Sequence, residues 1–102
     1  MKHSHHSTTQ NLSRVSQTNK GKYVRRLKII EGQVRGLQEM IEKDKYCIDI
    51  ITQSSAIKQA LSNLEDILLE NHLGSCVIQQ IKSGEIKQPT QEILQVYKLK
   101  RK

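Results

Sequence analysis

The sequence predicts an all-α fold: a three-helix protomer with two long antiparallel helices and a short C-terminal one. Two observations carry this prediction. Apolar residues recur at spacings of three and four over two long stretches, which is the period of an amphipathic helix and not of a strand. Start and stop residues punctuate those stretches where helices have to begin and end.

Residues 1–19 are rich in Ser, Thr, Asn and Gln, carry His3, His5 and His6 near the tip and hold almost nothing apolar, which predicts a disordered arm. From about Lys20 to Lys43, the residues Val24, Leu27, Ile30, Val34, Leu37 and Ile41 form one stripe of a helix roughly 36 Å long. Gly32 and Gly36 interrupt it, each costing up to about 1 kcal/mol relative to Ala, and close approach by a neighbouring helix is the use that would justify them. Asp44 is placed as the N-cap of a second helix whose stripe is Cys47, Ile50, Ile51, Ile57, Leu61, Leu64, Leu68 and His72, continuing through Cys76 to Ile81. Ser83-Gly84 stops it, and Pro89 suits the first turn of a short last helix carrying Ile93, Leu94 and Tyr97. Residues 20–98 thus form one helical domain, followed by a basic tail at 99–102.

Composition bounds what such a chain does. It is 35% apolar and has no Phe or Trp, so the core is small and its burial is expected to be completed between two protomers. A formal charge of +7 favours a polyanionic partner, nucleic acid first and an anionic membrane surface second. No apolar run approaches the roughly 18 to 20 residues of a spanning helix, and the N-terminus lacks the apolar segment of a secretory signal, so a cytoplasmic location is expected. In that reducing compartment Cys47 and Cys76 are read as thiols, ligands or redox sensors and not as a disulfide.

Residues 71–76, NHLGSC, put an imidazole and a thiol one helical turn apart. From Cys47 to His72 is 25 positions and to Cys76 is 29; at about 100° per residue both fall within roughly 20° of whole turns, so the three donors share one stripe. Along a straight helix, however, Cys47 stands roughly 38 Å from His72. Two antiparallel copies resolve the conflict, because Cys47 of one then lies beside His72 and Cys76 of the other, giving two equal sites per dimer. Two thiolates and one imidazole fit Cu(I), which accepts low coordination numbers; Zn(II) or Ni(II) calls for a fourth ligand, from His3, His5, His6 or water. The same spacing also suits two small buried thiols and a histidine resting on the last helical carbonyls.

The stretch RLKIIEGQVRGLQEMIEKDKYCIDIITQSSAIKQAL at residues 26–61, together with NHLGSC, resembles the copper-sensitive operon repressor family of all-α metal-sensing transcriptional repressors. The resemblance covers about residues 20–98, and the combination of EGQVRG, YCIDI and HxxxC is specific. It implies Cys47, His72 and Cys76 as the copper ligands, Tyr46 and Glu92 outside the coordination shell, and a dimer of antiparallel dimers with ligands shared across the dimer interface. It further implies repression of an efflux or metal-handling operon, with release of operator DNA when metal binds. Relatives that sense nickel or cobalt replace the last Cys by His and recruit an N-terminal ligand, so Ni(II) with an arm histidine is the second reading. Copper-sensing relatives often carry arginines in the middle of the second helix, where this chain has Ser62 and Asn63.

Lys20, Lys22, Arg25, Arg26 and Lys28 crowd five positive charges onto the start of the first helix, with Arg35 further along and Lys58 on the second. Without a helix-turn-helix or an aromatic platform, the expected contact with DNA is a basic surface of the assembled bundle, directed at phosphates and groove shape. A cytosolic copper buffer or chaperone and a thiol redox sensor are the readings from other classes. No nucleophile–base pair or phosphate loop is evident, which points away from an enzyme and from an organic substrate.

Overall fold

The structure, a computed structural model, describes residues 15–101, and among them it contains helices and turns but no strand. Helix α1 spans Gln17–Glu42 and α2 spans Cys47–Asn71. A π-helical segment, His72–Val77, follows α2 directly and passes into α3, Ile78–Lys82; α4 spans Lys87–Arg101. Asn71, Val77 and Ile78 all keep right-handed helical dihedrals, so α2, the π segment and α3 form one unbroken helical run, and the expected three-helix chain is what is found.

The helix ends explain themselves in local chemistry. The Ser16 hydroxyl accepts the Asn19 backbone N–H at 3.3 Å and starts α1 three residues ahead of the expected Lys20, so residues 17–19 belong to the helix and not to the arm. At its other end Lys45 N–H donates to the Met40 carbonyl at 3.0 Å and Asp44 N–H to the Ile41 carbonyl at 3.2 Å, the paired bonds of a Schellman motif. Asp44 carries the left-handed dihedral this closure needs, with φ 55°. It therefore ends α1 and is not the N-cap of α2; the first α2 bonds are accepted by the Tyr46 carbonyl. The same motif recurs at Gly84, φ 92°, where Glu85 N–H reaches the Gln80 carbonyl at 2.8 Å and Gly84 N–H reaches that of Ile81 at 3.0 Å. Pro89 is buried in the first turn of α4, where its missing N–H costs nothing. The last turn of α4 contains Lys98, Lys100 and Arg101, whose charges complement the helix dipole, so most of the stretch read as a tail is helix.

The described chain divides into two compact units, Ser16–Asp66 and the part from Ile67 onward. In the first, the buried side chains are Tyr23 and Ile30 on α1 and Ile57 and Leu64 on α2. Tyr23 and Leu64 lie symmetrically in sequence about residues 43–44, as do Ile30 and Ile57, which is the spacing of an antiparallel helical hairpin. The covered face is narrower than the stripe read from the sequence. Ile30 is buried and Leu37 half-buried, but Val24, Leu27, Val34 and Ile41 are exposed, the last at 58%. At about 100° per residue, Leu27, Val34 and Ile41 sit some 40° around the helix from Tyr23, Ile30 and Leu37. One broad apolar face thus has one edge covered and one edge open. Among the described residues none crowds Gly32 or Gly36: a Cβ at Gly36 would meet nothing within 4 Å, and at Gly32 only the Arg35 side chain at 3.7 Å, so close approach of another described helix is not what they serve.

The second unit is built on the π segment, α3 and α4. Its buried residues are Cys76, Val77 and Pro89. No helix of the described residues is long and apolar enough to cross a membrane.

Candidate functional site

The π segment is the local feature that sets HLGSCV apart, and its residues account for it. Gly74 lowers helix propensity, and the Ser75 hydroxyl donates to the Asn71 carbonyl at 2.8 Å, taking the acceptor that the Ser75 N–H uses in an α-helix. Bonding then widens from the i→i+4 to the i→i+5 pattern, an irregularity often found at functional sites. Cys76 lies at the end of this segment, 5% exposed, with Ser75 Oγ 3.8 Å from its Sγ.

His72 opens the segment, half-buried, on the wall of a cavity of about 370 Å³ that also receives Gln80 from α3 and Gln88 and Glu92 from α4, with Leu69 and Ile93 as apolar lining. Gln88 Nε2 donates to Glu92 Oε2 at 3.3 Å, one turn apart on α4. The fold therefore brings together His72 and Cys76 by local winding, and His72 and Glu92 by packing. Cys47 belongs to the other unit. It is the first residue of α2, exposed, and preceded by the exposed Tyr46. Among the described residues no group of three or more His, Cys, Asp or Glu is assembled that would hold a metal. His3, His5 and His6 lie outside the described residues.

The basic residues Lys20, Lys22, Arg25, Arg26, Lys28, Arg35 and Lys58 are all exposed. On the α1 wheel Lys22, Arg25, Lys28 and Arg35 form a basic sector opposite Tyr23 and Ile30, while Lys20 and Arg26 flank that buried edge, each about 60° from Tyr23. The first turn of α1 contains no acidic residue, leaving the positive end of the helix dipole uncompensated and adding to the cationic field of the side chains. Arg35 is partly engaged by Glu31 at 3.9 Å across an exposed i,i+4 pair. At the far end of α1, the Lys43 ammonium bonds Glu39 at 2.8 Å and holds that carboxyl below its usual range.

Sequence reasoning passed over Gln80 and Gln88. Glutamine on a helix has no patterned signal, and only packing shows that both face the cavity of His72.

Against known proteins, the sequence model of a family described as metal-sensitive transcriptional repressor matches residues 19–99. The chain belongs to that family. Metal-sensitive transcriptional repressors similar to it include the copper-sensing transcriptional repressor CsoR of Bacillus subtilis (strain 168), 46% identical over 97 residues that make up 95% of this chain and 93% of the relative. The copper-sensing transcriptional repressor RicR of Mycobacterium tuberculosis (strain ATCC 25618 / H37Rv) is 49% identical over 65 residues, 64% of this chain and 68% of that one. Among solved structures, the copper-sensing repressor CsoR with Cu(I) from Geobacillus thermodenitrificans NG80-2 superposes with a TM-score of 0.81 at 42% identity, covering 87% of this chain and 93% of the other. The all-α metal-sensitive repressor fold expected from the sequence is thereby established, and the family's role is regulatory, not catalytic.

Proposed function

We propose that this metal-sensitive repressor responds to Cu(I): the metal-free protein holds operator DNA through the basic sector of α1 with Lys58 of α2, and Cu(I) bound by Cys47 of one protomer with His72 and Cys76 of another releases it. One observation carries the reading: a complete two-thiolate, one-imidazole donor set in a chain 46% identical, over nearly its whole length, to a copper-sensing repressor. Such a set suits Cu(I), whose soft, low-coordinate chemistry favours thiolate. A second protomer is supported by the half-covered apolar face of α1 and by the exposed position of Cys47, and a pair of such dimers makes the tetramer.

Release follows from the cavity. A coordinating imidazole uses one ring nitrogen on the metal and donates through the other, so ligation reorganises what His72 touches. Glu92, on the same cavity, belongs to α4, and drawing it in moves that helix. Tyr46, adjacent to Cys47, is the corresponding group at the other end of the site.

The test is to select operator duplexes from a randomised pool and titrate the bound complex with Cu(I) and, separately, with Ni(II), for the full chain and for a chain lacking residues 1–10. The expected result is release by Cu(I) in both chains. Release by Ni(II) that disappears on truncation would transfer the role to an arm histidine and overturn the copper reading.

A further inference from the structure

Gln80 is the unexplained group in the second unit. Its side-chain oxygen Oε1 is shut off from solvent and has no hydrogen-bond partner among the described residues, although the residue lines the same cavity as His72 and Glu92. A buried amide oxygen without a partner is uncommon in a native fold and calls for a reason. Its neighbours supply one. A histidine that ligates a metal is neutral, and its other ring nitrogen then carries a proton that needs an acceptor. The Glu92 carboxylate accepts Gln88 Nε2 on one oxygen and keeps lone pairs for a further donor, whereas Gln80 Oε1 receives nothing.

We propose that Gln80 is a positioning residue that reports the state of His72: in the metal-bound protein its carbonyl oxygen accepts the His72 ring N–H, and its amide N–H group donates toward the Glu92 carboxylate. The amide has an acceptor and two donors on one planar group, so it suits a bridge between an imidazole N–H and a carboxylate. The unpaired oxygen disfavours the metal-free state relative to the bound one, and pairing it on ligation adds to the coupling between metal and DNA. This inference rests on His72 being a ligand, as set out above.

The experiment compares the full chain with Gln80→Leu and Gln80→Glu in three measurements. Cu(I) affinity is read by competition with a coloured Cu(I) chelator. The ratio of DNA dissociation constants with and without Cu(I) is read with a fluorescent operator duplex. The His72 ring nitrogens are read by long-range 15N NMR of the metal-free and Cu(I)-loaded protein. Gln80→Leu should keep Cu(I) affinity within about threefold and lower the DNA ratio by about tenfold or more, while Gln80→Glu, which keeps the acceptor for His72 but loses the donor to Glu92, should fall between that variant and the parent. In its Cu(I)-loaded form Gln80→Leu should also lose the single protected His72 N–H signal, and its metal-free form should melt no lower than the parent, since an unpaired oxygen has been removed. A Gln80→Leu protein with an unchanged DNA ratio and an unchanged N–H signal, or one destabilised without metal, overturns the role of Gln80 alone. If Cu(I) leaves the ring nitrogens of the parent itself unmoved, His72 is no ligand and both readings fall.

Discussion

The sharing of one metal site between two chains can be tested with two inactive proteins that repair each other. Cys47→Ser removes the thiol at the start of α2, and Cys76→Ser removes the one in the π segment. The 25 residues of α2 rise about 37 Å along its axis, against metal–sulfur bonds of about 2.3 Å, so neither variant closes a site within its own chain. In a mixed dimer, one site combines both substitutions and is lost. The other combines the intact Cys47 of the Cys76→Ser chain with the intact His72 and Cys76 of the Cys47→Ser chain. Random reassortment makes about half the dimers mixed, each with one good site of two, so about a quarter of the parent Cu(I) capacity returns. Each variant would be purified alone, the two unfolded and refolded together, and high-affinity Cu(I) counted by competition with a chelator. Mixed dimers isolated through two different tags should hold one Cu(I) per dimer. If mixing restored nothing, or if either variant alone kept full capacity, the shared site would be refuted.

Four further outcomes follow from particular residues. Ile57→Ala, at a position 6% exposed in the hairpin core, should cost about 2 to 4 kcal/mol of unfolding free energy in urea titration, with little change in the denaturant slope. Gly84→Ala should lower stability by about 1 kcal/mol or more, because φ 92° is a left-handed conformation that alanine resists, while Asp44→Gly should be neutral or stabilising at φ 55°. Arg25→Ala with Arg26→Ala should weaken DNA binding evenly across sequences and reduce the slope of log affinity against log salt by about 2, read by fluorescence anisotropy at several salt concentrations.

The helices were legible in the sequence because periodicity and punctuation agreed. α1 was expected over about 20–43 and runs Gln17–Glu42; the second long helix was carried to Ile81 and ends at Lys82. Asp44 misled because Asp suits both an N-cap and a left-handed helix end, and residue type does not choose between them. Exposure on α1 was misjudged for a different reason. Apolar period reports that Leu27 and Val34 prefer burial, but whether the burying partner is the same chain or another one is not encoded in spacing. Of the site, the donors and Glu92 were named from the sequence, and the structure places His72, Cys76 and Glu92 in one unit. Gln80 was missed because its meaning is an unpaired oxygen, a property of packing alone. The π winding of NHLGSC was missed as well, although Gly74 and Ser75 are the residues that permit it.

That winding has a mechanical consequence. A π turn holds slack: it takes up more chain per turn than the α-helix on either side while keeping the rod continuous. Were the turn to tighten to α geometry, Ile78–Lys82 would rotate about the axis like the output shaft of a gear, carrying Gln80 and the Gly84 bend with it and unfolding nothing. A ligand taken up by His72 and Cys76, the first residue of the turn and its fifth, grips the gear at both ends.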